Sequence, residues 1–117
     1  MNRKEIAIGD VYYAKVECNG SVQGGYRPYV VMQNDIGNKF SNTTIVIPLS
    51  SRLKSLNQPT HTLIRKSVDN GLKTDSVLLG EQMRVISSQR IIKKIGTITD
   101  ENEQKEIRRV YEANFGE

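Results

Sequence analysis

Tryptophan is absent from the 117 residues, and cysteine and histidine occur once each, as Cys18 and His61. A single cysteine excludes an internal disulfide and fits a reducing compartment. One cysteine with one histidine also falls short of the usual Cys/His zinc site within one chain. Cys18 has no obvious histidine partner that would make it a nucleophile. Long apolar runs are missing too. The longest, at residues 29–32 and 45–49, are far below the roughly 20 residues needed to cross a bilayer. The opening Met-Asn-Arg-Lys-Glu-Ile has no apolar signal segment behind it. A soluble protein that stays in the cytoplasm is expected.

What remains is ordinary globular composition: 37% hydrophobic and 26% charged residues, which sets disorder aside. The length suits one domain, residues 1–117, with one modest core. Seventeen basic against thirteen acidic residues leave a net charge of +4. A basic surface attracts polyanions, although this alone is weak evidence for nucleic acid. No repeat, low-complexity tract or linker divides the chain.

Most of the sequence reads as short strands. Residues 10–18 are rich in β-branched and aromatic side chains, and residues 27–33 form a second, largely buried run. Between them, Asn19-Gly20-Ser21 and Gly24-Gly25 make a loop. Residues 34–38 read as a loop of turn formers. Residues 43–49 should be a central strand that exits or bulges at Pro48, which cannot donate to a ladder. Residues 59–65 make another strand, followed by a turn at Asp69-Asn70-Gly71. Residues 75–79 and 81–86 read as one ribbon bent about Gly80. Residues 91–98 fit a last strand, or a helical turn with an extended piece. At the end, Thr99 or Asp100 can cap a helix with Asp100, Glu101 and Glu103 at its positive end. Ile107, Val110, Tyr111 and Phe115 give it one apolar stripe, and Gly116 can stop it. The expected fold is mainly β with α: a small antiparallel barrel with a C-terminal helix.

Four places could carry chemistry. The loop 20–28 combines glycines, which admit close approach of backbone N–H groups to an anion, with Arg27, whose planar fork matches phosphate. It lacks the Gly-Lys-Ser/Thr ending of a P-loop, and an exposed arginine in a hairpin loop is the plainer interpretation. Ser50, followed by Ser51 and Arg52, ends the buried run 43–49 and could present a hydroxyl to a cleft, or simply bond nearby backbone. Glu81, Gln82 and Arg84 follow the apolar run 76–79. Glu81 suits a general base, an acceptor for a base edge, or a solvated strand charge. His61, between two threonines, is more readily a structural histidine than a catalytic one.

The order of motifs resembles a known family. Gly9-Asp10-Val11-Tyr12 comes first, then Gln23-Gly24-Gly25-Tyr26-Arg27-Pro28-Tyr29-Val30-Val31. Gln33-Asn34-Asp35-Ile36-Gly37-Asn38 and Thr43-Thr44-Ile45-Val46-Ile47-Pro48-Leu49-Ser50 follow. Pro59-Thr60-His61, Asp75-Ser76-Val77-Leu78-Leu79 and Glu81-Gln82-Met83-Arg84-Val85-Ile86 complete the series. Nearly the whole chain is similar to the MazF/PemK/Kid toxins, most of all their Gram-positive branch. Each motif is weak alone, but seven in order are specific.

The resemblance implies an SH3-like barrel shared with the CcdB toxins, and a homodimer. It also implies a metal-independent endoribonuclease that cuts single-stranded mRNA and is restrained by a MazE-like antitoxin with an acidic flexible tail. No cofactor is implied. The catalytic residues carried over are Arg27, Ser50 and Glu81. RNA contacts fall on Ser21, Gln23, Gly24, Gly25, Ser51, Arg52, Gln82 and Arg84. Ser50 stands where threonine is usual, Val22 where relatives often carry glutamate, and Leu79 where the Kid-like branch has a second arginine. Two other classes compete: a CcdB-like gyrase inhibitor acting through its terminal helix, and a non-catalytic RNA-binding barrel. Gly25-Tyr26-Arg27-Pro28 argues against the first. Five tyrosines and two phenylalanines supply a broad stacking platform poorly, which argues against the second.

Overall fold

The computed structural model describes residues 6–16, 25–53 and 56–114. Seven strands form one antiparallel sheet. They are β1 (Asp10–Val16), β2 (Gly25–Val31), β3 (Thr43–Ser50), β4 (His61–Ile64), β5 (Ser76–Leu79), β6 (Arg84–Ser87) and β7 (Ile91–Thr97). Two helices complete the described fold, α1 (Asp35–Phe40) and α2 (Glu101–Ala113). The strand order is β4-β5-β3-β2-β1-β7, with β6 paired to β3. The mainly β class with a C-terminal helix holds, but the sheet does not close into a barrel. β4 and β7 end the path without pairing to each other, because β3 passes its far edge from one neighbour to another instead of curling round.

The strand does not exit or bulge at Pro48 as expected but runs on to Ser50, and Pro48, whose missing N–H faces no partner ladder, falls between the two far-edge pairings. The β2–β3 ladder runs from Val31↔Val46 to Tyr29↔Pro48. One residue later β3 is paired with β5, through Leu49↔Leu78 and Ser50↔Val77. The earlier half of β3 pairs with β6, from Thr43↔Ser87 to Val46↔Arg84. As β3 moves from Leu49 back to Val46, the opposite ribbon runs from Leu78 to Arg84, and its surplus residues coil into a 3₁₀ turn, Gly80–Gln82. The bend about Gly80 expected from the sequence is this turn. Glu81 and Gln82 therefore sit in the turn and not in a strand.

Alternation along the strands splits the core in two. Val11, Val30, Ile47, Leu49, Ile64 and Leu78 share a cluster with Ile107 and Val110 of α2. Residues of the opposite parity, Tyr12, Ala14, Tyr29, Val31 and Val46, pack with Ile86 and Ile91. The helix thus covers one face of the sheet, and the second cluster packs on the other. Asp100 caps α2 by accepting from Glu103 N at 2.9 Å, with Glu101 and Glu103 in the first turn where the helix dipole favours negative charge.

Residues 34–38, expected as a loop, contribute to helix α1. Asn34 Oδ1 accepts from Gly37 N at 2.8 Å and caps it. The buried Asn38 accepts from Thr44 Oγ1 at 2.7 Å and donates to Gln33 O at 2.9 Å. Turn formers were present because they cap and brace a short helix. Residues 91–98 resolve into a strand, β7, preceded by a 3₁₀ turn at Ser88–Arg90. The turn at Asp69-Asn70-Gly71 has Gly71 at φ 70°, and its backbone lies too close to Ile95 for a Cβ. No described helix is long and apolar enough to cross a membrane.

Candidate active site

Side chains two residues apart on a strand share a face, as do directly paired residues on neighbouring strands. Arg27 pairs with Ala14 on β1, and Ala14 belongs to the cluster opposite α2. Ser50 lies two residues beyond Pro48, as Arg27 lies two before Tyr29, and Tyr29↔Pro48 is the last pair of the β2–β3 ladder. Arg27 and Ser50 therefore leave that ladder on the same face, the one not covered by α2. Arg27 is half-buried. Ser50 Oγ accepts from Arg52 N at 3.2 Å. That bond uses a lone pair and leaves the hydroxyl proton to be donated.

The same face continues across β5 and β4. Ser50 pairs with Val77, Val77 with Leu63, and Leu79 with His61. His61 is thus two strands and two residues from Ser50, about 12 Å by strand spacing. On β6, Arg84 pairs with Val46 and shares this face. Ser51 and Arg52 follow β3 and are exposed, while Gln82 is half-buried in the 3₁₀ turn. Gly25 begins β2 opposite Val16. Ser21, Gln23 and Gly24 lie outside the described residues, as do Val22 and Cys18.

Glu81 is held by two donors. Thr60 Oγ1 donates to its Oε1 at 2.9 Å, and His61 Nε2 lies 3.0 Å from its carboxylate. The His61 ring is buried, whereas the Glu81 side chain is 42% exposed. Partial burial by itself raises the Glu81 pKa. The hydrogen bond with His61, the bond from its own backbone N–H, that from Thr60 and the charge of His61 outweigh it, so the net direction is downward from 4.5. Glu81 is a firmly ionised acceptor with one side open to solvent.

The histidine's partner was not legible in the sequence, because Thr60-His61 and Glu81 lie twenty residues apart and meet only through the β4–β5 pairing. Helix α2 closes the arrangement from behind. Arg109 donates to the carbonyls of Pro59 at 2.8 Å and His61 at 3.2 Å, and Asn114 Nδ2 donates to Gly80 O at 2.9 Å. Leu79, in place of a second arginine, is buried. A groove of about 800 Å³ lies elsewhere, between the α1 segment and α2 and lined by residues such as Met32, Ile45, Ile107 and Tyr111.

Comparison with known proteins settles the family. Residues 7–113 match the model described as "PemK-like, MazF-like toxin of type II toxin-antitoxin system". This chain belongs to that family. The endoribonuclease EndoA of Bacillus subtilis is 46% identical over 94 residues, 80% of each chain. The endoribonuclease MazF of Staphylococcus saprophyticus is 40% identical over 109 residues, 92% of this chain and 89% of that one. Among solved structures, MazF from Deinococcus radiodurans aligns with TM-score 0.80 and 18% identity over 97% of this chain and 99% of that one. A mycobacterial endoribonuclease in complex with its cognate antitoxin aligns with TM-score 0.75 and 16% identity over 95% of each. The family's Gram-positive members supply both sequence relatives, and the fold is shared across the family at low identity.

Proposed function

We propose that this chain is the toxin of a type II toxin–antitoxin pair, an endoribonuclease that cuts single-stranded mRNA in the cytoplasm by using the RNA's own 2′-hydroxyl as nucleophile. Attack of that oxygen on the adjacent phosphorus forms the 2′,3′-cyclic phosphate. The bond to the 5′-oxygen breaks, the 2′-hydroxyl gives up its proton, and the leaving oxygen gains one. The protein must hold the attack in line and neutralise the phosphoryl oxygens.

The single observation carrying this reading is that the β2–β3 register carries Arg27 and Ser50 beyond the same end of the ladder on the same face, the one opposite α2. Arg27, always protonated, binds two phosphoryl oxygens at once. Ser50 donates its hydroxyl proton to one of them. As a neutral hydroxyl it is not the base. Glu81 binds its proton weakly and stands with His61 and Thr60, so we assign it to the substrate and not to the proton transfer. Its open side accepts a hydrogen bond from the exocyclic amino group of a base, the pairing expected of a carboxylate with adenine or cytosine. Arg84, Gln82, Ser51 and Arg52 extend the contact along the strand, with Gly25 and residues 21, 23 and 24 on its other flank. This chemistry asks for no divalent ion, and among the described residues no three His, Cys, Asp or Glu side chains gather to hold one.

The protein works as a homodimer, since two copies extend a groove that one small chain cannot supply. Its partner is an antitoxin whose acidic flexible tail covers the basic face and is removed by proteolysis. The deciding experiment is cleavage of a single-stranded RNA by the purified protein in excess EDTA, with mass spectrometry of the ends. Cyclic phosphate and 5′-hydroxyl ends are expected. A 5′-phosphate end, or activity restored only by magnesium, overturns the mechanism. Light scattering tests the dimer, and a fully active monomer refutes it.

A further inference from the structure

We infer that Thr60 and His61 are positioning residues of the RNA site, a pair of fixed donors that hold the Glu81 carboxylate at one place and in one orientation on the substrate face. The inference rests on the proposed role of Glu81 as an RNA contact. Glu81 lies in a 3₁₀ turn, not in a ladder, so strand pairing alone does not fix its side chain. A long carboxylate on such a turn would sample several rotamers, and ordering it on binding would cost entropy. Here the ordering is done beforehand. His61 Nε2 and Thr60 Oγ1 lie 3.0 and 2.9 Å from the carboxylate.

The donors are themselves immobilised. His61 opens β4 opposite Leu79 and its ring is buried. Gly80 N donates to Thr60 O at 2.8 Å, tying the donor segment directly to the turn that carries the acceptor. From α2, the Arg109 guanidinium grips the carbonyls on both sides of Thr60, those of Pro59 and His61. Glu106 accepts from Arg109 Nε at 2.9 Å and holds that guanidinium in place. Both donor residues are therefore held by a second contact, Thr60 through Gly80 N and His61 through Arg109. That is the arrangement a recognition site needs and a solvated surface charge does not.

A double-mutant cycle on cleavage of a single-stranded RNA tests it, with kcat and KM read separately and Tm recorded for every variant. Glu81→Ala should reduce kcat/KM, and so should His61→Leu and Thr60→Val in the wild-type background, by about tenfold or more if misplacement is the cause. In the Glu81→Ala background the same two changes should cost less than about twofold, because the group they position is gone. His61→Gln, whose amide N–H can reach the place of Nε2, should restore most of the rate. If His61→Leu does not fold, Thr60→Val, an isosteric loss of one hydroxyl, carries the cycle. Equal losses in both backgrounds, tracking Tm, overturn the positioning role. A Glu81→Ala protein that cleaves at the wild-type rate instead overturns the reading of Glu81 as an RNA contact, and Arg27→Ala serves as the separate control for the cleavage chemistry.

Discussion

Replacing Gly80 by alanine should couple stability and activity in a way few other single changes would. A Cβ built there overlaps Cγ1 of Val110 and comes within 2.7 Å of the Thr60 carbonyl oxygen. Neither neighbour can yield freely. Val110 is fully buried in the α2 cluster, and the Thr60 carbonyl accepts the Gly80 N–H at 2.8 Å. Relief requires α2 to lift from the turn or the turn to swing away from Thr60, which strains a packed core and stretches a hydrogen bond. Overpacking of this kind costs about 2–3 kcal/mol. At roughly 4 °C per kcal/mol for a domain of this size, Tm should fall by about 10 °C. The functional part follows because the moved residues carry Glu81 and its donors. At temperatures well below the new Tm, kcat/KM should still be reduced and a deoxyribose-blocked RNA should bind less tightly, while an RNA abasic at the contacted nucleotide should lose less binding. Adding Val110→Ala should recover part of the Tm, since it removes the side-chain clash but not the one with the carbonyl. Thermal denaturation by circular dichroism, paired with a fluorogenic cleavage assay, reads both. A Gly80→Ala protein with wild-type Tm would refute the close approach of α2 and the turn.

Arg27→Lys should lose activity by about 10²-fold or more, because a point charge cannot replace two-point recognition of the phosphoryl oxygens; full activity would reduce Arg27 to a generic positive charge. Ser50→Ala should be strongly impaired and Ser50→Thr active, measured as single-turnover rates, and wild-type rates in Ser50→Ala would remove the hydroxyl from the mechanism. On acidification, the Glu81 clasp should contribute stability above pH 4.5 that is lost as pH falls through the lowered folded value, since the unfolded carboxyl takes up its proton first; urea unfolding from pH 6 to 3 should show this slope flattened in Glu81→Gln. Tyr12 is pushed up to about 12 by burial and by Asp10, whose carboxylate accepts its hydroxyl at 3.3 Å. The fold favours its neutral form, so that contribution is intact below pH 10 and declines as pH rises towards 12, a decline absent in Tyr12→Phe.

Local pattern alone determined much of this molecule. Alternating β-branched runs specified the strands, because period-two patterning sends successive side chains to opposite faces. Asp100 and the stripe of Ile107 and Val110 specified α2 in the same way, since cap and periodicity are both properties of neighbouring residues. The motif order was enough to identify the family, but the exit or bulge expected at Pro48 does not occur, since β3 runs on to Ser50 with Pro48 still paired to Tyr29. Other features depended on residues far apart in the chain. The sheet stays open because β3 shares one edge between β6 and β5, and no local signal encodes which strand takes which half. Residues 34–38 became a helix because Asn38 is paid in hydrogen bonds by Thr44 and Gln33 once β3 is in place. His61 looked structural until β4 paired with β5, when its Nε2 met Glu81. Arg27 and Ser50, likewise, share a face only because the β2–β3 ladder ends where it does. Sequence fixes the periodicity of each segment through near neighbours, but which side chains meet across strands is set by register, and register is a property of the packed sheet.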